Sequence, residues 1–217
     1  MKSRSEKHRK RLPPPPPPRA GVRILFVCTG NICRSPMAEA LLRAGLEKRE
    51  CAGVEIASSG TWADWGSPAS SGAISALGRR GVDLGSHRSR PLDPIETSRA
   101  DLVVVMTSVH EKEVLQVTPD VRDKLVLIKA LDEMKIHFDS QAPPSRRVKA
   151  VVEARRPKYR RALDLDDPIG LPSSAYERCV NEILRGVNAL LDVLCPPVQT
   201  AAAPVELADQ MAGNGPE

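Results

Sequence analysis

Val22-Arg23-Ile24-Leu25-Phe26-Val27-Cys28-Thr29-Gly30-Asn31-Ile32-Cys33-Arg34-Ser35-Pro36 passes from a strand, through a short polar loop, into a helix. Residues 22–27 form a brief apolar run with branched side chains, the composition of a buried strand. Gly30 and Asn31 are residue types that tolerate positive φ, so successive backbone N–H groups can curl inward as a nest for an anion. Ser35 and Pro36 read as the N-cap and first residue of a helix over 35–48. Ala38, Leu41, Leu42 and Gly45 put small and apolar residues on one face of that helix.

Working outward, the same alternation continues. A short strand is predicted over 54–57, and Ile74 and Leu77 give 70–80 a helical spacing. Residues 101–106, Asp-Leu-Val-Val-Val-Met, are the most strand-like run in the chain, followed by a helix over 109–117 and a fourth strand over 125–128. The last helix carries Tyr176, Val180, Ile183, Leu184, Val187, Leu190, Leu191 and Leu194 as one continuous stripe. Ser174-Ala175-Tyr176-Glu177 fits a capping box at its start, and Pro196-Pro197 ends it. Strands alternating with helices predict an α/β domain with a parallel sheet, right-handed crossovers and helices on both faces. Residues 134–163 break the rhythm with Pro143-Pro144 and a basic stretch, and read as a surface insertion.

The 217 residues allow one domain with tails, here 21–195 between residues 1–20 and 196–217. Both tails read as disordered: the first is basic and holds Pro13 to Pro18, the second is rich in Ala, Pro and Gly. The polyproline run reads first as a solvated linker, with a proline-binding or acidic partner as the alternative. Seven Lys and Arg against Glu6 put +6 in residues 1–20, which leaves −1 for the rest of a chain whose net charge is +5. No basic residues alternate with stacking aromatics, so the domain is not expected to bind nucleic acid. Five cysteines without a disulfide framework or zinc spacing point to a reducing compartment. No apolar run reaches the length of a membrane span, and the prolines follow the basic segment where a signal peptide would be apolar, so a cytoplasmic protein is expected.

In open parallel sheets ligands bind beyond the carboxyl ends of the strands, and Cys28 stands there. The helix behind it turns its positive end toward the thiol, and Arg34 adds a planar fork for two phosphate oxygens. The arrangement suits a tetrahedral dianion and favours a thiolate ready for in-line attack on phosphorus. A bare Cys-x5-Arg arises by accident in many chains; here it coincides with a strand end, Gly-Asn and a helix start. The chemistry also needs a proton donor for the leaving group, which then activates water. Nothing in it calls for a cofactor or metal.

Val27-Cys28-Thr29-Gly30-Asn31-Ile32-Cys33-Arg34-Ser35-Pro36-Met37-Ala38-Glu39 closely resembles the signature of the low-molecular-weight protein tyrosine phosphatases. The resemblance spans about residues 22–195 and implies a four-stranded parallel sheet flanked by helices. It implies a cysteinyl-phosphate intermediate on Cys28, with Arg34 gripping the phosphoryl group within the loop Thr29, Gly30, Asn31, Ile32, Cys33, Arg34 and Ser35. It further implies that Ser35 donates a hydrogen bond to Cys28, that Asn31 holds the loop shape, and that Cys33 pairs reversibly with Cys28. Ser58 and His87 resemble the family's supporting serine and histidine. Asp167, before Pro168 in Asp166-Asp167-Pro168, matches its general acid and base, although by spacing alone this is as readily a turn.

The expected substrate is protein phosphotyrosine, because Ile32 offers an apolar contact for a ring. Ile169-Gly170 stands where the family often has aromatic residues, and Trp62 and Trp65 can supply that wall instead. A protein arginine phosphatase is the alternative, on Asp167-Pro168-Ile169-Gly170, though such enzymes usually carry Thr at the position of Ile32. An arsenate reductase would need two further redox cysteines, and none lies between Cys51 and Cys179. A proline-tail adaptor with a vestigial site is disfavoured by intact Cys28, Arg34 and Asp167.

Overall fold

A computed structural model of the chain describes residues 21–154 and 161–197. The expectations for residues 1–20 and for those after Pro197 lie outside the described residues. Four parallel strands, β1 (Val22–Cys28), β2 (Val54–Gly60), β3 (Leu102–Val105) and β4 (Leu125–Leu127), lie in the order β2-β1-β3-β4. The chain winds outward from β1 to β2, then crosses back to β3 on the other side of β1. The carboxyl end of β1 is therefore the point where the winding direction reverses, and Cys28 is its last residue.

Alternation along β1 divides the interior in two. Val22, Ile24, Phe26 and Cys28 face the larger core, built with α1 (Arg34–Lys48), α2 (Ser71–Gly78) and the last helix, α7 (Ser173–Leu194). Leu25 and Val27 face a smaller core with Val103, Val105, Val114 and Val121, covered by α4 (Ser108–Val117). The short α3 (Pro94–Arg99) closes the same side; Asp93 caps it, accepting from the backbone N–H of Ile95 and Glu96. The predicted strands and the stripe on α7 are all present, and the stripe is buried apart from a partly covered Leu184.

Several local expectations are corrected. Ser35 is not the N-cap of α1; Cys33 holds that position, and the Ser35 hydroxyl turns inward to Cys28. The capping box at Ser174 and Glu177 does not form: α7 begins after Pro172 without a side-chain cap, and Glu177 pairs with Arg79 and Arg80 instead. Those two cations hold the Glu177 carboxyl below its ordinary range. Residues 134–163 are not only a surface insertion. After α5 (Ile128–Glu133), α6 (Pro144–Ala154) buries Val148 and Val151 in the larger core. Arg147 is buried with them and donates to the carbonyls of Ser140, Ala142 and Leu194, tying the segment to the end of α7.

The cysteines also pair against expectation. Cys51, after α1, forms a disulfide with Cys195 at the end of α7, with Cα atoms 6.2 Å apart. Partners 144 residues apart leave no local spacing for a sequence reading to find. Cys28, Cys33 and Cys179 are free. No helix among the described residues is long and apolar enough to cross a membrane.

Candidate active site

The loop after β1 takes its shape from Asn31. Its φ is +52°, in the left-handed region, and its side chain is wholly buried. Asn31 Nδ2 donates to Ser35 Oγ and Ser58 Oγ, both at 2.9 Å, while Oδ1 accepts from the backbone N–H of Arg90 at 3.0 Å. His87 Nε2 donates to the Asn31 carbonyl at 2.7 Å. Ser58 and His87 thus meet at Asn31, from the end of β2 and from the loop before α3. The backbone is pinned as well: Cys28, Thr29 and Ile32 carbonyls accept from the N–H groups of Thr61, Trp62 and Ser70. Gly60 is required where β2 ends, because a Cβ there would lie 2.3 Å from the Thr29 carbonyl oxygen and 2.9 Å from the Asn31 nitrogen.

Cys28 Sγ lies 3.0 Å from Ser35 Oγ. The Ser35 oxygen already accepts from Asn31, and its one proton has two acceptors in reach, the sulfur at 3.0 Å and the Ser59 carbonyl at 3.3 Å. With that proton on the sulfur, a relay of donors runs from amide to hydroxyl to sulfur. Arg34 is buried on the first turn of α1; its Nη1 donates to the Leu165 carbonyl at 3.2 Å and its Nη2 pairs with Asp167. Arg34 Nε is buried and has no hydrogen-bond partner among the described residues. A buried donor without a partner is a ready seat for an anionic oxygen.

Asp167 comes to this cluster from a loop far along the chain. Leu165 N–H donates to the Met106 carbonyl at the end of β3, which hangs the loop on the sheet. Asp164 serves the structure, because its two carboxylate oxygens accept from the backbone N–H and hydroxyl of Ser108 and close the start of α4. Asp166 is exposed, and Asp167 also accepts from the Ile169 N–H at 3.2 Å. Cys33 is buried, and burial together with the Asp167 charge pushes its thiol up to about 12.

The two tryptophans separate. Trp62 stands at the site, 75% exposed, with its backbone bonded to Thr29 and its Nε1 donating to Glu113 on α4. Trp65 lines another groove, with Arg23, Glu55 and Ile95, on the face of β1 and β2 away from the larger core. Sequence reading also missed Arg90, Leu165 and His110, whose parts are backbone contacts or bonds to distant loop residues. Only His110 had a signal, its place three residues after Thr107 at a helix start. No group of three or more His, Cys, Asp or Glu side chains that could hold a metal ion occurs among the described residues.

Comparison with known proteins identifies the family. Residues 23–146 match the family model for low molecular weight phosphotyrosine protein phosphatase. A protein-arginine-phosphatase of Geobacillus stearothermophilus is 43% identical over 178 residues, covering 82% of this chain and 97% of that protein. A probable low molecular weight protein-tyrosine-phosphatase, EpsP, of Ralstonia nicotianae is 39% identical over 166 residues, 76% of this chain and 91% of that one. Among solved structures, a low molecular weight protein tyrosine phosphatase from T. tengcongensis superposes with a TM-score of 0.62 at 29% identity, over 79% of this chain and 99% of that one. The YwlE arginine phosphatase of Geobacillus stearothermophilus gives 0.60 at 32% identity, over 80% and 92%. With a four-stranded parallel sheet, Cys28 at its switch point and these relatives, the chain belongs to the low molecular weight phosphotyrosine protein phosphatase family, cysteine-dependent enzymes that act on phosphorylated proteins.

Proposed function

We propose that the protein hydrolyses protein phosphotyrosine in two steps on Cys28. The sulfur attacks phosphorus in line, the phenolic oxygen leaves with a proton from Asp167, and a cysteinyl phosphate remains. Water then attacks that phosphate, gives its proton to Asp167 and releases inorganic phosphate and the Cys28 sulfur. Arg34 grips two phosphoryl oxygens. In the free enzyme its Nη2 is held by Asp167; an arriving phosphate dianion takes over the guanidinium, and the displaced carboxylate, now facing that negative charge, takes up a proton from solvent and delivers it to the leaving group. Ser35, with its proton in reach of Sγ, steadies the sulfur whenever it carries negative charge, before attack and again as the leaving group of the second step. Asn31, Ser58 and His87 act by holding the loop. The Cys51–Cys195 disulfide removes the cysteine argument for a reducing compartment.

The observation that carries the phosphotyrosine reading is the apolar rim. Ile32 is half-buried in the loop, Trp62 is exposed beside Thr29, and Ile169 is exposed two residues after Asp167. Three apolar side chains on three loops suit an aromatic ring better than a guanidinium. Parallel kinetics on phosphotyrosine and phosphoarginine peptides of one sequence test it. The reading expects kcat/KM to favour phosphotyrosine and Trp62→Ala to erode that preference. Faster turnover of phosphoarginine would replace it with the arginine phosphatase alternative.

A further inference from the structure

His110 lies outside the Cys-x5-Arg loop and is 2% exposed on the first turn of α4. Its ring is bonded at both nitrogens. Nδ1 receives the backbone N–H of Thr107 at 3.1 Å and lies 2.9 Å from the Thr107 hydroxyl. A nitrogen that accepts an N–H cannot carry a proton of its own, so the proton of the neutral ring is on Nε2. Nε2 is 2.9 Å from Thr29 Oγ1, next to the nucleophile. The direction of that bond follows: His110 donates and Thr29 accepts. One side of the Thr29 oxygen is then occupied, and its own proton must point away from the imidazole. The Thr29 backbone cannot swing to compensate, because its carbonyl is held by Trp62 N–H at 3.0 Å.

We propose that His110 is a positioning residue that fixes the Thr29 hydroxyl as a hydrogen-bond donor to an oxygen of the phosphoryl group bound over Cys28. The inference rests on the phosphatase reading and adds to it a donor from outside the backbone nest and Arg34. Such a donor, made to an anion, is charge-assisted. The neutral ring persists at working pH, since burial and then the Arg34 charge push His110 down to about 4 against the opposing Glu113, Asp167 and Asp164. The Nδ1 side of the ring closes the start of α4, but the Nε2 bond is not needed for the helix. The two roles are therefore separable.

The test compares wild type, Thr29→Val, Thr29→Ser, His110→Leu, His110→Gln and the double variant Thr29→Val/His110→Leu. The readouts are kcat and KM on p-nitrophenyl phosphate, and calorimetric affinity for inorganic phosphate. Thr29→Val is expected to lower kcat/KM and phosphate affinity by about 10-fold or more. His110→Leu should lower both by a similar factor, and the double variant should be no worse than Thr29→Val alone. Thr29→Ser and His110→Gln, which restore the hydroxyl and the N–H, should recover most of the loss. A purely structural histidine predicts losses in melting temperature only, or losses that multiply with Thr29→Val; either overturns the proposal. Should His110→Leu not fold, His110→Gln with Thr29→Val and Thr29→Ser still decides. If wild type binds phosphate but turns over no aryl ester, the phosphatase reading fails while the affinity series still judges His110.

Discussion

Asn31→Ala is the perturbation whose cost can be worked out bond by bond. The amide makes three side-chain hydrogen bonds in a fully buried site, to Ser35, Ser58 and the Arg90 N–H. At a net value of about 1 kcal/mol each, their loss removes about 3 kcal/mol. The two serine oxygens lose a donor but keep their own protons for other bonds; the Arg90 N–H loses its acceptor and is fixed in the backbone, so its share is the least recoverable. Alanine must also hold φ at +52°, which costs about 1 kcal/mol more. The expected total is about 4 kcal/mol, a large part of the roughly 5–15 kcal/mol typical of a domain. Urea unfolding should be followed by far-ultraviolet circular dichroism, since Trp62 and Trp65 are already exposed and report little of the fold. Asn31→Gly relieves the backbone strain but restores no hydrogen bond, and its loss should fall about 1 kcal/mol short of the alanine loss. Activity should drop in both by about 10² or more, because the loop that seats the phosphate loses its internal brace. A loss below about 1 kcal/mol in Asn31→Ala, with kcat within about 3-fold of wild type, would refute the claim that this network shapes the loop.

Three further outcomes follow from named contacts. Gly60→Ala should cost about 1–3 kcal/mol and lower kcat by about 10², since its Cβ can be accommodated only by moving the Thr29 carbonyl and Asn31 nitrogen; calorimetry and steady-state kinetics check both. The Cys51–Cys195 disulfide closes 144 residues, a loop whose chain-entropy value is about 5 kcal/mol, so Cys51→Ser or dithiothreitol should lower the melting temperature, and alkylation of the denatured, unreduced protein should label only Cys28, Cys33 and Cys179. His110 titrates near 4 in the folded protein against an ordinary 6.5, so between these values the unfolded chain binds more protons and stability rises with pH. Its contribution, about 3 kcal/mol, is fully present above pH 6.5 and lost as the pH falls toward 4; a pH series of urea midpoints should flatten across that window in His110→Gln.

The phosphate loop was legible because its meaning is local: strand, positive-φ residues, arginine and helix start lie within one short consecutive stretch. The parallel strands were legible because β3 is a wholly apolar run and β1 is apolar from Ile24 onward, both buried on both faces. Short local rules failed where a distant partner outweighed them. Ser35 has the chemistry of a cap but binds Cys28, and Glu177 has the position for a capping box but meets Arg79 and Arg80 at the end of α2. Asp93-Pro94 is a helix-start signal, weakened because the helix it opens has only six residues. The 144–154 helix hid its role because only Val148 and Val151 of its apolar residues are fully buried, flanked by a buried Arg147 that looks like a surface residue in sequence. The disulfide and the His110–Thr29 bond join positions 144 and 81 residues apart, beyond any motif.

The account stands on Cys28 as the nucleophile, and the phosphoenzyme is its direct test. Wild type and Asp167→Ala should be mixed with an aryl phosphate, quenched within milliseconds and mapped by peptide mass spectrometry. The account predicts a phosphoryl adduct on Cys28, accumulating to a higher level in Asp167→Ala because water is no longer activated, and no turnover in Cys28→Ser. An adduct on another residue, or hydrolysis persisting in Cys28→Ser, would contradict it.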